Sequence, residues 1–232
     1  MKTKIISLMM VMMLLMACDL GDDQPENREV KLIYNFTTNA EGWTGDFADY
    51  PAGEEEAYEL EFGHSFLPAP LEITDGALKL SGINHSDDLF MFVKKEVTGL
   101  IPNREYRLNF EVEFASDVAD ESVGIGGSPG ESVYIKVGAT PNEPAKQEDM
   151  EGWYRLDIDK GNQAQGGENM MVIGNFANGT DENIYTLKTL TNPTPFRATT
   201  DGQGTIWLLF GTDSGFEGKT TIYINKIEVE IF

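Results

Sequence analysis

Four short segments concentrate residues able to grip a polyhydroxylated ligand. They are Gly42-Trp43-Thr44-Gly45-Asp46-Phe47-Ala48-Asp49-Tyr50-Pro51, Asn84-His85-Ser86-Asp87-Asp88, Asp157-Ile158-Asp159-Lys160-Gly161-Asn162-Gln163 and Gly211-Thr212-Asp213-Ser214-Gly215-Phe216-Glu217-Gly218. An aromatic face offers C–H contacts to a sugar ring, while carboxylates and amides pair with hydroxyls. On that chemistry the candidate ligand-binding residues are Trp43, Tyr50, Asn84, His85, Asp88, Asp159, Lys160, Gln163, Asp213 and Glu217. Trp153 and Trp207 are further aromatic platforms. The same acids suit Ca²⁺, which takes six to eight hard oxygens. Asp46 and Asp49 are its candidate ligands, and Glu54-Glu55-Glu56 follows close behind. Asp157, Asp159 and Glu168 match three places of an EF-hand loop. That reading fails, because Gly161 and Asn162 stand where an acid or amide and a glycine belong.

Catalysis has less support than binding. Ser128 lies in Gly126-Gly127-Ser128-Pro129-Gly130, which spells a nucleophile elbow, but no helix follows it. His85 and Ser86 are adjacent, and neighbours on a strand point to opposite faces. Asp88, Asp213 and Glu217 could supply paired carboxylates for glycoside hydrolysis. In a chain with 39 acids such pairs arise readily by chance.

The elements that must position these groups are strands. Tyr106, Leu108, Phe110, Val112 and Phe114 alternate with Arg107, Asn109, Glu111 and Glu113, the period of a strand with one wet face. Val133, Ile135 and Val137 alternate around Tyr134 and Lys136. Tyr154, Leu156 and Ile158 form another such run, as do Ile206, Leu208 and Phe210. Leu78 and Leu80 flank Lys79, while Leu89 to Val93 is a continuous apolar run suited to a strand covered on both faces. At the C-terminus Ile222 and Ile224 share one parity, and Ile227, Val229 and Ile231 the other. That flip predicts a β-bulge or bend near Asn225-Lys226. Turn residues separate the runs at Ala52-Gly53, Thr74-Asp75-Gly76, Pro102-Asn103, Asn178-Gly179 and Asp201-Gly202. No stretch keeps a helical stripe, so the pattern predicts one all-β domain over 29–232, an antiparallel β-sandwich.

Sandwiches gather functional loops at their ends, so Asp46, Asp88, Asp159 and Asp213 are expected to converge. Carboxylates within about 4–6 Å of one another repel unless a cation or donor compensates. Lys160 would compensate one of them, and Ca²⁺ would do so more completely. Three patches carry a family resemblance. Tyr34-Asn35-Phe36 leading to Glu41-Gly42-Trp43 resembles the opening strand of galactose-binding-like jelly rolls, a fold of many carbohydrate-binding modules. Thr221-Ile222-Tyr223-Ile224-Asn225-Lys226-Ile227-Glu228-Val229 looks like their closing strand, and Tyr106-Arg107-Leu108-Asn109-Phe110 like a middle one. The resemblance implies a jelly roll and, by association, glycan binding.

The start of the chain gives an address. Lys2 and Lys4 precede the apolar run from Ile5 to Met16, which is too short to span a bilayer, and Leu15-Met16-Ala17-Cys18 follows. This resembles a bacterial lipoprotein signal, which implies that 1–17 are removed and that Cys18 is lipidated. Residues 18–28 read as an acidic tether, similar to the surface-export tethers of Bacteroidetes lipoproteins. Removal of Lys2 and Lys4 takes the net charge from −22 to −24. Such acidity argues against nucleic acid and against anionic bilayers, leaving the lipid as the only membrane contact. The single Cys allows no intrachain disulfide.

These readings combine into a lipid-anchored envelope protein, of the outer membrane or the surface, that binds an extracellular ligand, a glycan before any other envelope ligand. A Ca²⁺-stabilised adhesion lipoprotein and a carbohydrate-active hydrolase are the rival readings. Replacing Cys18 with Ser should release the chain from membranes and abolish labelling by a clickable fatty acid. Unlabelled chain that stays on the membrane in both forms would contradict the anchor.

Overall fold

The computed structural model describes residues 29–71 and 74–232. The signal and tether expected over 1–28 lie outside the described residues. Two antiparallel sheets face each other. The larger has seven strands: β1 (Val30–Asn35), β4 (Glu61–Phe66), β5 (Gly76–Ile83), β7 (Glu105–Ser116), β12 (Thr186–Thr191), β13 (Phe196–Thr199) and β15 (Lys219–Ile231). The second has five, in the order β11 (Met170–Asn175), β8 (Val133–Thr140), β14 (Ile206–Ser214), β6 (Leu89–Val97), β2 (Thr44–Ala48). No helix occurs among the described residues. The fold is an all-β sandwich.

Period-two patterning builds the core. Leu108, Phe110, Val112 and Phe114 of β7 point inward with Ile222, Ile224, Ile227, Val229 and Ile231 of β15. They meet Val133, Ile135 and Val137 of β8 and Ile206, Leu208 and Phe210 of β14. The parity flip in β15 is a bulge. Pairing with β7 shifts between Ile224 and Lys226, so Asn225 is the extra residue and isoleucines on both sides of it reach the same core. The Asn225 amide donates to Glu113 Oε1 at 2.7 Å.

The apolar run of β6 is covered on both faces. Leu89, Met91 and Val93 enter the inter-sheet core. Phe90 and Phe92 point outward into a second apolar cluster with Ala48, Met170 and Leu209, under Leu156 and Ile158. Each fully buried phenylalanine contributes about 1.5–3 kcal/mol, so this outer layer is a real part of the core.

The cover is a small third sheet in which β10 (Trp153–Leu156) pairs with β3 (Tyr50–Pro51) and β9 (Lys146–Glu148), continued by the loop 157–169. The alternating strand expected from Tyr154 to Ile158 stops at Leu156, and its residues show no alternation of burial. The reason is its place: it roofs a sheet instead of belonging to one.

The roof can approach because Gly138 on β8 has no side chain. A Cβ there would lie 1.9 Å from the carbonyl oxygen of Asn169. Gly138→Ala should therefore cost about 1–3 kcal/mol in urea unfolding. It should also speed amide exchange in 157–169 more than in β7. Parent-like behaviour in both would show that the roof is not seated on Gly138.

Candidate functional site

Under the roof lies a compartment of buried charge. Lys136 of β8 and Asp213 of β14 project from the outer face of the five-stranded sheet, and both side chains are 0% exposed. Lys136 Nζ is 2.7 Å from Asp213 Oδ2. Lys160, in the roof loop, reaches the same oxygen at 3.0 Å and Asp49 Oδ2 at 2.9 Å. Arg155 of β10 holds Asp49 Oδ1 at 2.9 Å and lies 3.7 Å from Asp88 Oδ2. Three carboxylates thus face three protein cations. Lys136 also donates to the carbonyls of Lys160 and Gln165 at 2.9 and 3.0 Å, and the Gln163 N–H donates to Asp213 Oδ2 at 3.0 Å. The loop is bolted down through its middle.

The environment shifts the protons. Burial pushes the Asp88 carboxyl up to about 6, with Asp49 and Asp213 adding to the rise against Lys160 and Arg155. Burial also pulls Lys136 below the usual lysine range, although Asp213 opposes it. Burial pulls on Lys160 too, but Asp213, Asp49 and Asp88 together hold it above its ordinary value.

The expected convergence of four acids is met by two. Asp88 and Asp213 come together, joined by Asp49 and compensated by Lys160. Asp46 instead lies 3.1 Å from Lys146. Asp159 stays exposed and closes its own loop, accepting the N–H groups of Gly161 and Glu168, which lower its pKa. Asp46 and Asp49, expected as Ca²⁺ ligands, each face a protein cation, and no group of three metal-binding side chains occurs among the described residues. Glu54, Glu55 and Glu56 form an exposed turn.

Several expected ligand contacts are structural. Trp43 is 2% exposed, its ring met edge-on by Tyr34 and Phe36, so it presents no open platform. Tyr50 is also buried, its hydroxyl accepting from Lys146 Nζ at 2.9 Å. The Asn84 amide donates to the carbonyls of Ser214 and Phe216 and its oxygen accepts the Ser86 N–H, which fixes the loop 84–88. Gln163 donates to the carbonyl of Asp87 at 2.8 Å. His85 is exposed but lies edge-on to Tyr58, and Glu217 is exposed outside the charged compartment.

An open site lies further along the same sheet face. Trp207 is half-buried on the outer side of β14, in register with Glu96 of β6 and Thr140 of β8. Lys94 Nζ stands 5.7 Å from its ring centroid, held by the Pro144 carbonyl at 2.6 Å and Glu143 at 2.8 Å. Beside Trp207's partner Thr140 is a groove of about 320 Å³, lined also by Asn142, Glu143, Asp157, Glu168 and Asn169. A second groove of about 350 Å³ shares Pro141, Glu168 and Asn169 with the first and extends to Glu105 and Arg197. The side chains of Asn142 and Glu168 make no hydrogen bond or ion pair among the described residues, so they are available to a ligand. Sequence reasoning met Glu168 only in the failed EF-hand spacing and passed over Asn142, which has no aromatic beside it in the chain. The signal was Trp207, which follows the inward Ile206 and precedes the inward Leu208 and must face outward.

No known family model and no curated protein matches the chain. Solved structures show a distant likeness. The K1 cleaved adhesin domain of Lys-gingipain from Porphyromonas gingivalis matches at 13% identity and a TM-score of 0.39, over 88% of this chain and 98% of that one. The CBM22-1 xylan-binding domain from Paenibacillus barcinonensis matches at 10% and 0.39, over 86% and 92%. The TmCBM61 module solved with β-1,4-galactotriose matches at 11% and 0.36, over 84% and 92%. At these scores the likeness carries no argument about the ligand, and the sandwich assignment rests on the chain's own sheets.

The half-buried Asp88 has a signed pH consequence. The fold raises the Asp88 pKa from 3.8 to about 6, so the folded state binds a proton that the unfolded state has released. The resulting stabilisation is complete below the ordinary carboxylate range and lost as pH rises through about 6. Thermal melts between pH 4 and 7 should carry this downward component, worth about 2 kcal/mol. Asp88→Asn should flatten it. A variant with the parent's slope would assign the effect elsewhere.

Proposed function

We propose that the chain is a lipid-anchored envelope protein whose sandwich binds an extracellular glycan in the groove beside Trp207. The observation that carries the reading is the pairing of an outward-facing tryptophan with an open groove holding unengaged amide and carboxylate groups. A sugar presents an apolar C–H face and a rim of hydroxyls, and these groups match it in kind. The groove also favours one class of sugar. Glu143, Asp157 and Glu168 make its wall acidic, which opposes uronic or sulfated chains and suits neutral or amine-bearing ones. The anchor is supported by Leu15-Met16-Ala17-Cys18, and the acidic surface supports attachment through lipid rather than through protein charge.

The test is a panel of neutral, amino and uronic oligosaccharides offered with and without Ca²⁺, followed by calorimetry on whatever binds. Trp207→Ala should weaken binding about tenfold, the worth of one aromatic platform, and Glu168→Gln should weaken it less. Trp153→Ala, whose ring lies in the roof under Arg155, should leave affinity unchanged. Parent-like binding by Trp207→Ala, or a preference for uronic chains, would refute the site.

A further inference from the structure

We propose that Lys136 and Asp213 are joined by a side-chain amide, an isopeptide bond formed by condensation inside the folded domain and linking β8 to β14. The two residues lie diagonally on paired strands, Lys136 facing Gly211 and Asp213 facing Tyr134. Both are fully buried, with 2.7 Å between Nζ and Oδ2. Among the lysine–carboxylate pairs of the described residues, this is the one in which both side chains are 0% exposed.

The hydrogen bonding is lopsided in a way that fits this reaction. Asp213 Oδ2 takes three donors: Lys136 Nζ, Lys160 Nζ and the Gln163 N–H. Asp213 Oδ1 is buried and has none. An orphaned buried acceptor costs about 1–3 kcal/mol, so its presence needs a reason. Condensation gives one, because it removes that oxygen. On the lysine, two acceptors besides Asp213 face Nζ, the carbonyls of Lys160 and Gln165. A neutral amine gives its two hydrogens to those carbonyls, which leaves its lone pair facing the carboxyl carbon. Burial favours that neutral form.

The step balances without any co-reactant. The Nζ lone pair attacks Asp213 Cγ and the Nζ–Cγ bond forms. Charge collects on Oδ2, where Lys160 and the Gln163 N–H hold it as oxyanion donors do. The Cγ–Oδ1 bond then breaks. Counted from the ammonium–carboxylate pair, two ammonium hydrogens leave with Oδ1 as water and the third stays on the amide nitrogen. Asp88, whose charge acts on both Lys136 and Asp213, carries them. It precedes β6, whose Phe90 pairs with Asp213, and its own Oδ1 is buried without a partner. Fixed proximity of this kind replaces an activating reagent, since effective molarities of about 10⁵ M and above are reached in well-oriented pairs. The product amide oxygen keeps Lys160 and Gln163, and one positive and one negative charge leave the compartment, where Asp49 and Asp88 still face Lys160 and Arg155. The bridge closes a span of 77 residues.

Mass spectrometry of the purified full chain, denatured and digested with trypsin, decides the matter. Trypsin cannot cut after an acylated Lys136, so segment 108–146 should appear joined to segment 198–219, about 18 Da lighter than their sum, the mass of one water. Recovery of 108–136 and 198–219 as separate unmodified peptides overturns the proposal. Asp213→Ala should yield only the separate peptides. Asp88→Asn should yield them too while keeping the parent's β circular-dichroism spectrum. A fully linked Asp88→Asn would remove Asp88 from the step and leave the bond standing.

Discussion

An ammonium group with no exposure to water sets the terms for half of this sandwich. Lys136 sits on a strand between two core residues, Ile135 and Val137, on the face that period-two patterning reserves for solvent. Taking such a charge out of water is tolerable only when its hydrogens and its counter-charge are both satisfied. Meeting that condition requires Asp213 from the neighbouring strand and two backbone carbonyls from outside the sheet. The carbonyls belong to the loop 157–169, so the loop must lie where it does. The aromatic layer of Phe90 and Phe92 is roofed by the same act. Apolar cover and charge satisfaction are one structural event.

That roof separates two kinds of polar chemistry on one sheet face. Over Asp213 the carboxylates are spent on protein cations, and Asp213 and Asp49 are closed off from solvent. Beyond its edge, near Trp207, carboxylate and amide groups stand without partners beside open space. The distinction is made by the loop's two ends and its middle. Its middle is pinned inward through Lys160 and Gln163. Its ends, Asp157 and Glu168, form a wall of the groove. The geometry of the exposed site is therefore held by the closed one.

Much of the fold was legible in the sequence because burial in a sandwich is written with period two. The irregularity in the last strand could be placed near Asn225-Lys226 as a bulge or a bend, since a flip of parity within one strand has few other causes, and the register shows it to be a bulge. The double cover of β6 was legible from its unbroken apolar run. What covers it was not, because the roof is built from a short irregular segment with no period of its own. Lys136 and Asp213 were read as a wet-face lysine and a loop acid for the same reason: burial of the outer face depends on a segment distant in sequence. Trp43 and Tyr50 were drawn into the candidate site by their polar neighbours, while their rings fill the core. Residue type reports what a side chain can do, and only packing decides whether it is free to do it.

The way the chain enters the sandwich fixes its posture. Val30 pairs with Ile231, Ile231 with Leu108 and Leu108 with Phe196, which aligns the first residue of β1 with one rim of the large sheet. Glu105 and Arg197, which line the second groove, lie on that same rim. Anything that holds the protein by its leading segment therefore suspends it from the groove's own corner. A molecule seated there rests close to the point of suspension, while the loops 84–88 and 215–218 hang at the far pole.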